Sequence, residues 1–355
     1  MKQIEDKINQ AYTNQLPFVV YNKPKEEKVV GLFQKDSQLH TLTTNFNKSG
    51  FVFAPFTSDR ETIIFPLETS VVIEESYAKK ALSLKEASAE DSQQAKKKHI
   101  ALITKAINAI ATGNFEKVVL SRKVVKEIET IDIVEVYQKL LNTYPNAFVY
   151  VWYHPSVGLW FGATPETLLN IKNYTFTTMA LAGTQLYIEN TKAVWQPKEL
   201  QEQEFVTEYI VQKLSQFAKD IQLSETTTVK AGSLLHLKTD ISARLDTAKN
   251  DSLYALITTL HPTPAVCGLP KEITKQFILE NENYNRSYYT GFLGELNMCN
   301  GQKRNSSHLF VNLRCMEFKD NSAFIYVGGG ITKDSVAEKE YQETVSKSKI
   351  MLKVL

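Results

Sequence analysis

At 355 residues the chain can bury a sizeable core, as one large domain or as two. Its 43% hydrophobic and 23% charged side chains describe an ordinary globular protein, and 41 basic against 39 acidic residues leave a formal charge of only +2. That balance excludes a broad electrostatic attraction to nucleic acid or to an anionic membrane.

The first residues, MKQIEDKINQAYTNQLPF, alternate charge with single apolar residues and contain no apolar stretch of the kind a secretory signal needs. No run reaches the ~18 apolar residues of a membrane span. Cys267, Cys299 and Cys315 are odd in number and lack a CxxC pair, which fits a reducing cytoplasm and argues against a structural zinc site. Up to about residue 78 the chain reads as short strand-like runs, FVVYN, KVVGLF, GFVFAPF and TSVVIE, separated by turn residues. A polar connection, KKALSLKEASAEDSQQAKKKH, then leads into a helix over HIALITKAINAIATG that stops at Gly113. This break sets a boundary near residues 80–98.

The next stretch, NFEKVVLSRKVV, sets Lys117 at the head of a run, Val118 to Leu120, that otherwise reads as a buried strand. A lysine in that place either snorkels to water or has a chemical role. Further runs, AFVYVWYH, GLWFGATP, FTTMALAGT, HLFVNLRCMEF and SAFIYVGGGI, come in adjacent pairs with long helices between them. Such pairing predicts an α+β fold of large, mostly antiparallel β-sheets packed together with helices on the outside. GxGxxG spacing is absent, so a nicotinamide enzyme has little support.

In KELQEQEFVTEYIVQKLSQF the apolar stripe is Val206, Ile210, Leu214 and Phe217, and one turn back from Val206 lies Glu202, on the buried face. In EKEYQETVSKSKIMLKVL, Glu340, Glu343 and Lys347 share one side. Taken singly these are ordinary solvated helix residues; two inward carboxylates from separate helices would make a hard oxygen site suited to Mg²⁺. Glu166, after Pro165, reads either as first-turn helix chemistry or as a carboxylic acid whose pKa apolar walls would raise. The glycines from Gly328 are either a turn or a backbone able to approach an anion closely.

Nine stretches, FEKVVLSR, GATPETLL, ALAGT, QEQEFV, LHPTPAVCGLP, NRSYYTGFLGEL, LFVNLRC, VGGGI and EYQETVSK, follow one another in this order. Together they resemble the chorismate-utilising enzymes over about residues 100–350, and most closely the isochorismate synthases. The resemblance implies Lys117 as general base toward water and Glu166 as general acid toward the departing hydroxyl. It implies Mg²⁺ on Glu202 and Glu343, with Glu340 or Glu199 reaching through water. His236 matches a histidine at the ring carboxylate, while Arg314 and Lys347, with the N–H groups of Gly329 and Gly330, would clamp the enolpyruvyl carboxylate. Ala182, Gly183, Thr184, Ala265 and Tyr289 fall among the substrate-contacting positions. Ala182 stands where aminodeoxychorismate synthases carry a nucleophilic lysine, and Ala265 stands where aminating and salicylate-forming relatives carry a hydroxyl. Gln185 departs from the arginine that many relatives have.

The expected activity is therefore an isomerase reaction, chorismate to isochorismate, Mg²⁺-dependent and feeding menaquinone synthesis. The alternatives are a salicylate synthase or a siderophore branch. The expected partner is chorismate alone, acting on a monomer without an amidotransferase subunit, nucleic acid or membrane.

Overall fold

The computed structural model describes residues 1–43, 46–57, 59–78, 92–172, 175–231, 234–245, 253–298 and 306–355. Two antiparallel sheets dominate it. The nine-stranded sheet runs in the order Gly268–Leu269, Lys117–Glu127, Ser322–Ile331, Cys315–Lys319, Gly158–Thr164, Phe148–His154, Phe18–Asn22, Lys28–Gln34, Ser70–Ser76. The ten-stranded sheet runs Ala218–Leu223, Leu234–Leu245, Thr175–Leu186, Thr167–Lys172, Ser306–Val311, Phe292–Met298, Gly50–Ala54, Thr62–Pro66, Thr41–Leu42, with Thr227–Ala231 also paired to Leu234–Leu245. Strands drawn from residues 18–76 thus extend both sheets.

Strand periodicity explains the layering. Along Phe148–His154, Phe148, Tyr150 and Trp152 face an aromatic core shared with Phe51, Phe53, Phe65 and Phe310 of the other sheet, while Val149 and Val151 face the opposite way. Both faces are apolar, so these runs show no polar alternation and are buried on both sides. The aromatic rings pack closely: Phe148 and Phe310 stack across the interface with centroids 4.2 Å apart, and Phe53 stacks on Trp152 at 4.6 Å. The outer face of the nine-stranded sheet is covered by helices Lys2–Thr13, Ile133–Thr143 and the end of Ala337–Leu352. The outer face of the ten-stranded sheet is covered by Pro197–Leu214 and Leu253–Leu260. This is the helix-flanked antiparallel arrangement that the paired runs predict.

Several local expectations change. Lys2–Thr13 is a helix, because Ile4, Ile8 and Ala11 fall on one side and are buried. The helix expected from His99 begins at Gln93, where the Ser92 hydroxyl accepts the Ala95 N–H at 3.1 Å, and it ends before Gly113 at φ +79°. Most of the polar connection before it, residues 79–91, lies outside the described residues, as does Cys299. No helix starts at Thr164. Instead the chain crosses from the nine-stranded to the ten-stranded sheet between Thr164 and Thr167.

The run HLFVNLRCMEF is likewise not one strand. It breaks at Asn312–Arg314, where the chain crosses back between the sheets, with Arg314 at φ +47°. Asn312 fixes the break by accepting from Tyr150 Oη at 2.7 Å and donating to the Tyr288 carbonyl at 2.9 Å. The two crossovers lie side by side. The Thr164 hydroxyl donates to the Val311 carbonyl at 2.6 Å, the Val311 N–H donates to the Glu166 carbonyl at 3.0 Å, and the Ala163 N–H donates to the Arg314 carbonyl at 3.0 Å.

Candidate active site

Glu166 and Arg314 enter one pocket because they ride on these adjoining crossovers. The same pocket is lined by Ala182, Gly183 and Thr184 at the end of Thr175–Leu186, and by His236 on the neighbouring strand. Glu202 comes from helix Pro197–Leu214, Ala265 and Tyr289 from loops, Gly329 and Gly330 from Ser322–Ile331, and Glu343 and Lys347 from Ala337–Leu352. Residues separated by more than 160 positions are thus gathered by the sheet order. Three of the sequence candidates stand outside this lining. Lys117 lies directly behind it, Glu340 pairs with Lys198, and Glu199 accepts the Gln196 N–H at 3.0 Å as part of its own helix start.

Lys117 is fully buried, and its Nζ sits 2.9 Å from Glu202 Oε1 without an aligned hydrogen bond to any described group. Gly330 lies close in front of it. A Cβ at Gly330 would come within 2.5 Å of Glu202 Oε1 and 3.1 Å of Lys117 Cε. The three glycines are therefore part of a strand, paired Gly328 to Ser121, Gly329 to Leu120 and Gly330 to Val119.

The register also corrects which N–H groups are available. The Val119 N–H donates to the Cys267 carbonyl at 2.8 Å, so Val119 bonds away from the glycine strand, and the ladder bonds fall on the Leu120–Gly329 pair. Gly329 spends its N–H in the sheet. Gly328 and Gly330 turn their backbone groups to the other side, where the Gly328 carbonyl accepts from Lys347 Nζ at 2.9 Å.

The electrostatics distinguish the carboxylates. Glu166 is 4% exposed; burial outweighs the opposing charges of Lys117 and Arg314 and raises its pKa to about 7. Burial also presses on Glu202, but Lys117, Lys198 and Lys347 together overcome it and hold that carboxyl below its ordinary range. Glu340 is pushed up by burial and by Glu343 despite its contact with Lys198. One group is thus a proton donor near neutrality and another a firm anion.

His236 is driven down to about 3 by burial and by Arg314 and Lys347, so it is a neutral imidazole. The Gly183 carbonyl, 2.9 Å from Nδ1, can only accept, which places the proton on Nδ1 and leaves Nε2 as an acceptor facing Arg314 Nη2 at 3.4 Å. In this state His236 holds Arg314 rather than offering an N–H to a carboxylate. Arg314 Nε is buried without a hydrogen-bond partner among the described residues.

Glu202 and Glu343, on two helices, are the carboxylates that could hold a divalent cation. One oxygen of each faces a lysine, Glu202 Oε1 lying 2.9 Å from Lys117 Nζ and Glu343 Oε1 accepting from Lys347 at 2.6 Å, and no described side chain bonds their second oxygens. Among the described residues no group of three or more His, Cys, Asp or Glu converges on a point. The pair fits Mg²⁺, which commonly takes one or two carboxylates and keeps water or substrate oxygens on its remaining positions.

Two contributors escape sequence reading. Lys198, one helical turn before Glu202, pairs with Glu340 and is coupled to Glu202 and Glu343, which keep its pKa raised against the pull of burial. Arg286 donates to the Val266 carbonyl at 2.9 Å, to the Val119 carbonyl at 2.7 Å and to both oxygens of Glu282. It thereby ties the Lys117 strand to the loop bearing Ala265. Both lysine and arginine have a glutamate at i+4 or i−4, a spacing visible in sequence, but their functional partners lie far along the chain.

Comparison with known proteins agrees with this architecture. Isochorismate synthase DhbC of Bacillus subtilis is 29% identical over 203 residues, which are 55% of this chain and 50% of that protein, so the match spans half the relative's length. The DhbC structure from Bacillus anthracis superposes with a TM-score of 0.80 at 23% identity, covering 99% of both chains. The menaquinone-specific isochorismate synthase MenF of Escherichia coli gives 0.76 at 20% identity, over 95% of this chain and 88% of that one. These two superpositions establish the shared fold. The family model for chorismate binding enzymes matches residues 37–355, most of the chain and all of the pocket, and the protein belongs to that family.

Proposed function

We propose that this chain converts chorismate to isochorismate, adding water at ring carbon 2 as the carbon 4 hydroxyl leaves and the double bond shifts. The observation that carries the reading is the presence at one pocket of a fully buried lysine and a buried carboxylic acid whose pKa is raised to about 7. Water attack needs a group that removes a proton, and Lys117 takes that role. Hydroxide is a poor leaving group, and Glu166, protonated near neutrality, gives it the proton that lets it depart as water. Arg314 and Lys347 hold a substrate carboxylate, with His236 fixing the Arg314 guanidinium.

Glu202 and Glu343 would hold Mg²⁺, whose charge would neutralise the ring carboxylate. Ala182 leaves no amine for covalent chemistry, and Ala265 gives the pocket a methyl rather than a hydroxyl, which favours release of isochorismate over further elimination. Menaquinone synthesis is the destination in this reading, the fold being shared with MenF and with DhbC alike. Among the described residues no helix is long and apolar enough to cross a membrane, and Cys267 and Cys315 are buried free thiols, which supports action in a reducing cytoplasm.

Chromatography of products from purified protein, chorismate and Mg²⁺ tests the proposal. Isochorismate as the product supports it. Salicylate with pyruvate would replace it with the elimination chemistry, and absence of turnover would overturn it.

A further inference from the structure

Three carboxylates and three ammonium groups meet beside the pocket and cancel one another. Lys117 forms an ion pair with Glu202 at 2.9 Å, Lys347 with Glu343 at 2.6 Å, and Lys198 with Glu340. The lysines come from a strand and from both helices, so this is a tertiary arrangement rather than a run of neighbouring charges on one surface. All six groups are at least three-quarters buried, and their mutual attraction is little screened by water.

A magnesium ion needs anionic oxygens at ~2.0–2.1 Å. Bound to Glu202 while Lys117 keeps its place on the same carboxylate, it would stand a few ångströms from an ammonium group in a partly desolvated site, a repulsion worth several-fold to many-fold in affinity. The same holds at Glu343 and Lys347. Glu340 differs: it lies outside the pocket lining, and its lysine stands in no cation's way.

We propose that Lys117 and Lys347 are resident counterions that Mg²⁺ must displace from Glu202 and Glu343, so that the site is occluded by its own lysines until the metal arrives. The inference rests on the Mg²⁺ reading above and extends it. Its consequence is a coupling: Lys117, the base, is released from its carboxylate only as the metal takes over that oxygen. An unloaded chain keeps its base locked in an ion pair.

Calorimetric titration of the full chain with MgCl₂ alone, without substrate, tests this. Lys117→Met and Lys347→Met should each bind Mg²⁺ about tenfold or more tightly than the unaltered chain, because a competitor has been removed. Lys117→Arg, which keeps the positive charge, should stay near the starting affinity, and adding Glu202→Gln to Lys117→Met should abolish the gain. Lys198→Met should tighten binding much less; an equal gain there would show a general charge effect and overturn displacement. Unchanged Mg²⁺ affinity in the folded Lys117→Met or Lys347→Met chain would also overturn it while leaving the Mg²⁺ reading intact. Absence of Mg²⁺ binding in every folded chain would remove both. Lys347→Met decides the question alone should Lys117→Met fail to fold.

Discussion

Two hollows in this protein invite comparison. The larger, about 520 Å³, is lined by Phe46, Tyr254, Pro262 and Phe292, with Arg60, Lys271 and Lys275 among its charges. The smaller, about 60 Å³, has roughly the share of two waters in the liquid and holds Glu166, Glu202, Arg314, Glu343 and Lys347. In the larger, Lys271 already spends its ammonium on the carbonyls of Thr258 and His261, at 3.2 and 3.0 Å. In the smaller, the charged Arg314 has its Nε without a partner among the described residues, whereas the unpartnered ring of His261 in the larger is neutral. Room is therefore a poor guide to chemistry here. Desolvated charge that the protein has not finished satisfying is a better one, and the narrow pocket is the one that gathers it.

The comparison breaks most sharply on the proposed proton-transfer residues. Lys117→Ala and Glu166→Gln should each lower turnover by about 10²- to 10⁴-fold while chorismate binding, followed by calorimetry, changes far less. Near-normal turnover in Lys117→Ala would return that lysine to a structural role. Arg314→Lys should act next, raising KM for chorismate by about 10- to 100-fold, since an ammonium cannot reproduce the planar, forked donor; steady-state kinetics would show it.

A pH test sharpens the contrast. Turnover that needs protonated Glu166 should decline as pH rises through about 7, and Glu166→Gln should lose that limb. The same raised pKa has a stability counterpart. Below about 4.5 folded and unfolded chains both hold the proton, so nothing is lost. Between about 4.5 and 7 the unfolded chain ionises first, and stability falls with rising pH by up to roughly 3 kcal/mol. Denaturant titration should accordingly find Glu166→Gln more stable than the unaltered chain at pH 8 and equal to it at pH 4. The smallest effect belongs to the larger hollow: Lys275→Ala should leave turnover within about twofold, and a loss of tenfold would mean that this cavity serves the reaction after all.

The residues differ in how openly the sequence announces them. Runs such as FVVYN and AFVYVWYH are apolar on both faces because helices cover one side and the partner sheet the other, so strand and burial could be read together. The short helix Lys2–Thr13 was equally open, through Ile4, Ile8 and Ala11, but its charges between them mimic a loop. The split of HLFVNLRCMEF was hidden, because the Asn312 side chain that breaks it bonds Tyr150 and Tyr288, residues that only the fold brings near. For the same reason Glu166, Glu202 and Glu343 became a site only when their stretches were taken together. Lys198 and Arg286 act through contacts across the chain, and the Gly329 N–H is withdrawn by a pairing register that no local pattern encodes.

The side-by-side crossovers at Thr164–Thr167 and Val311–Cys315 have a mechanical consequence. If the two sheets shear against each other as the molecule breathes, both links must tilt together, since three hydrogen bonds lash them into one strut. The segment carrying Glu166 and the segment carrying Arg314 are therefore held to each other directly, rather than only through the two sheets they join.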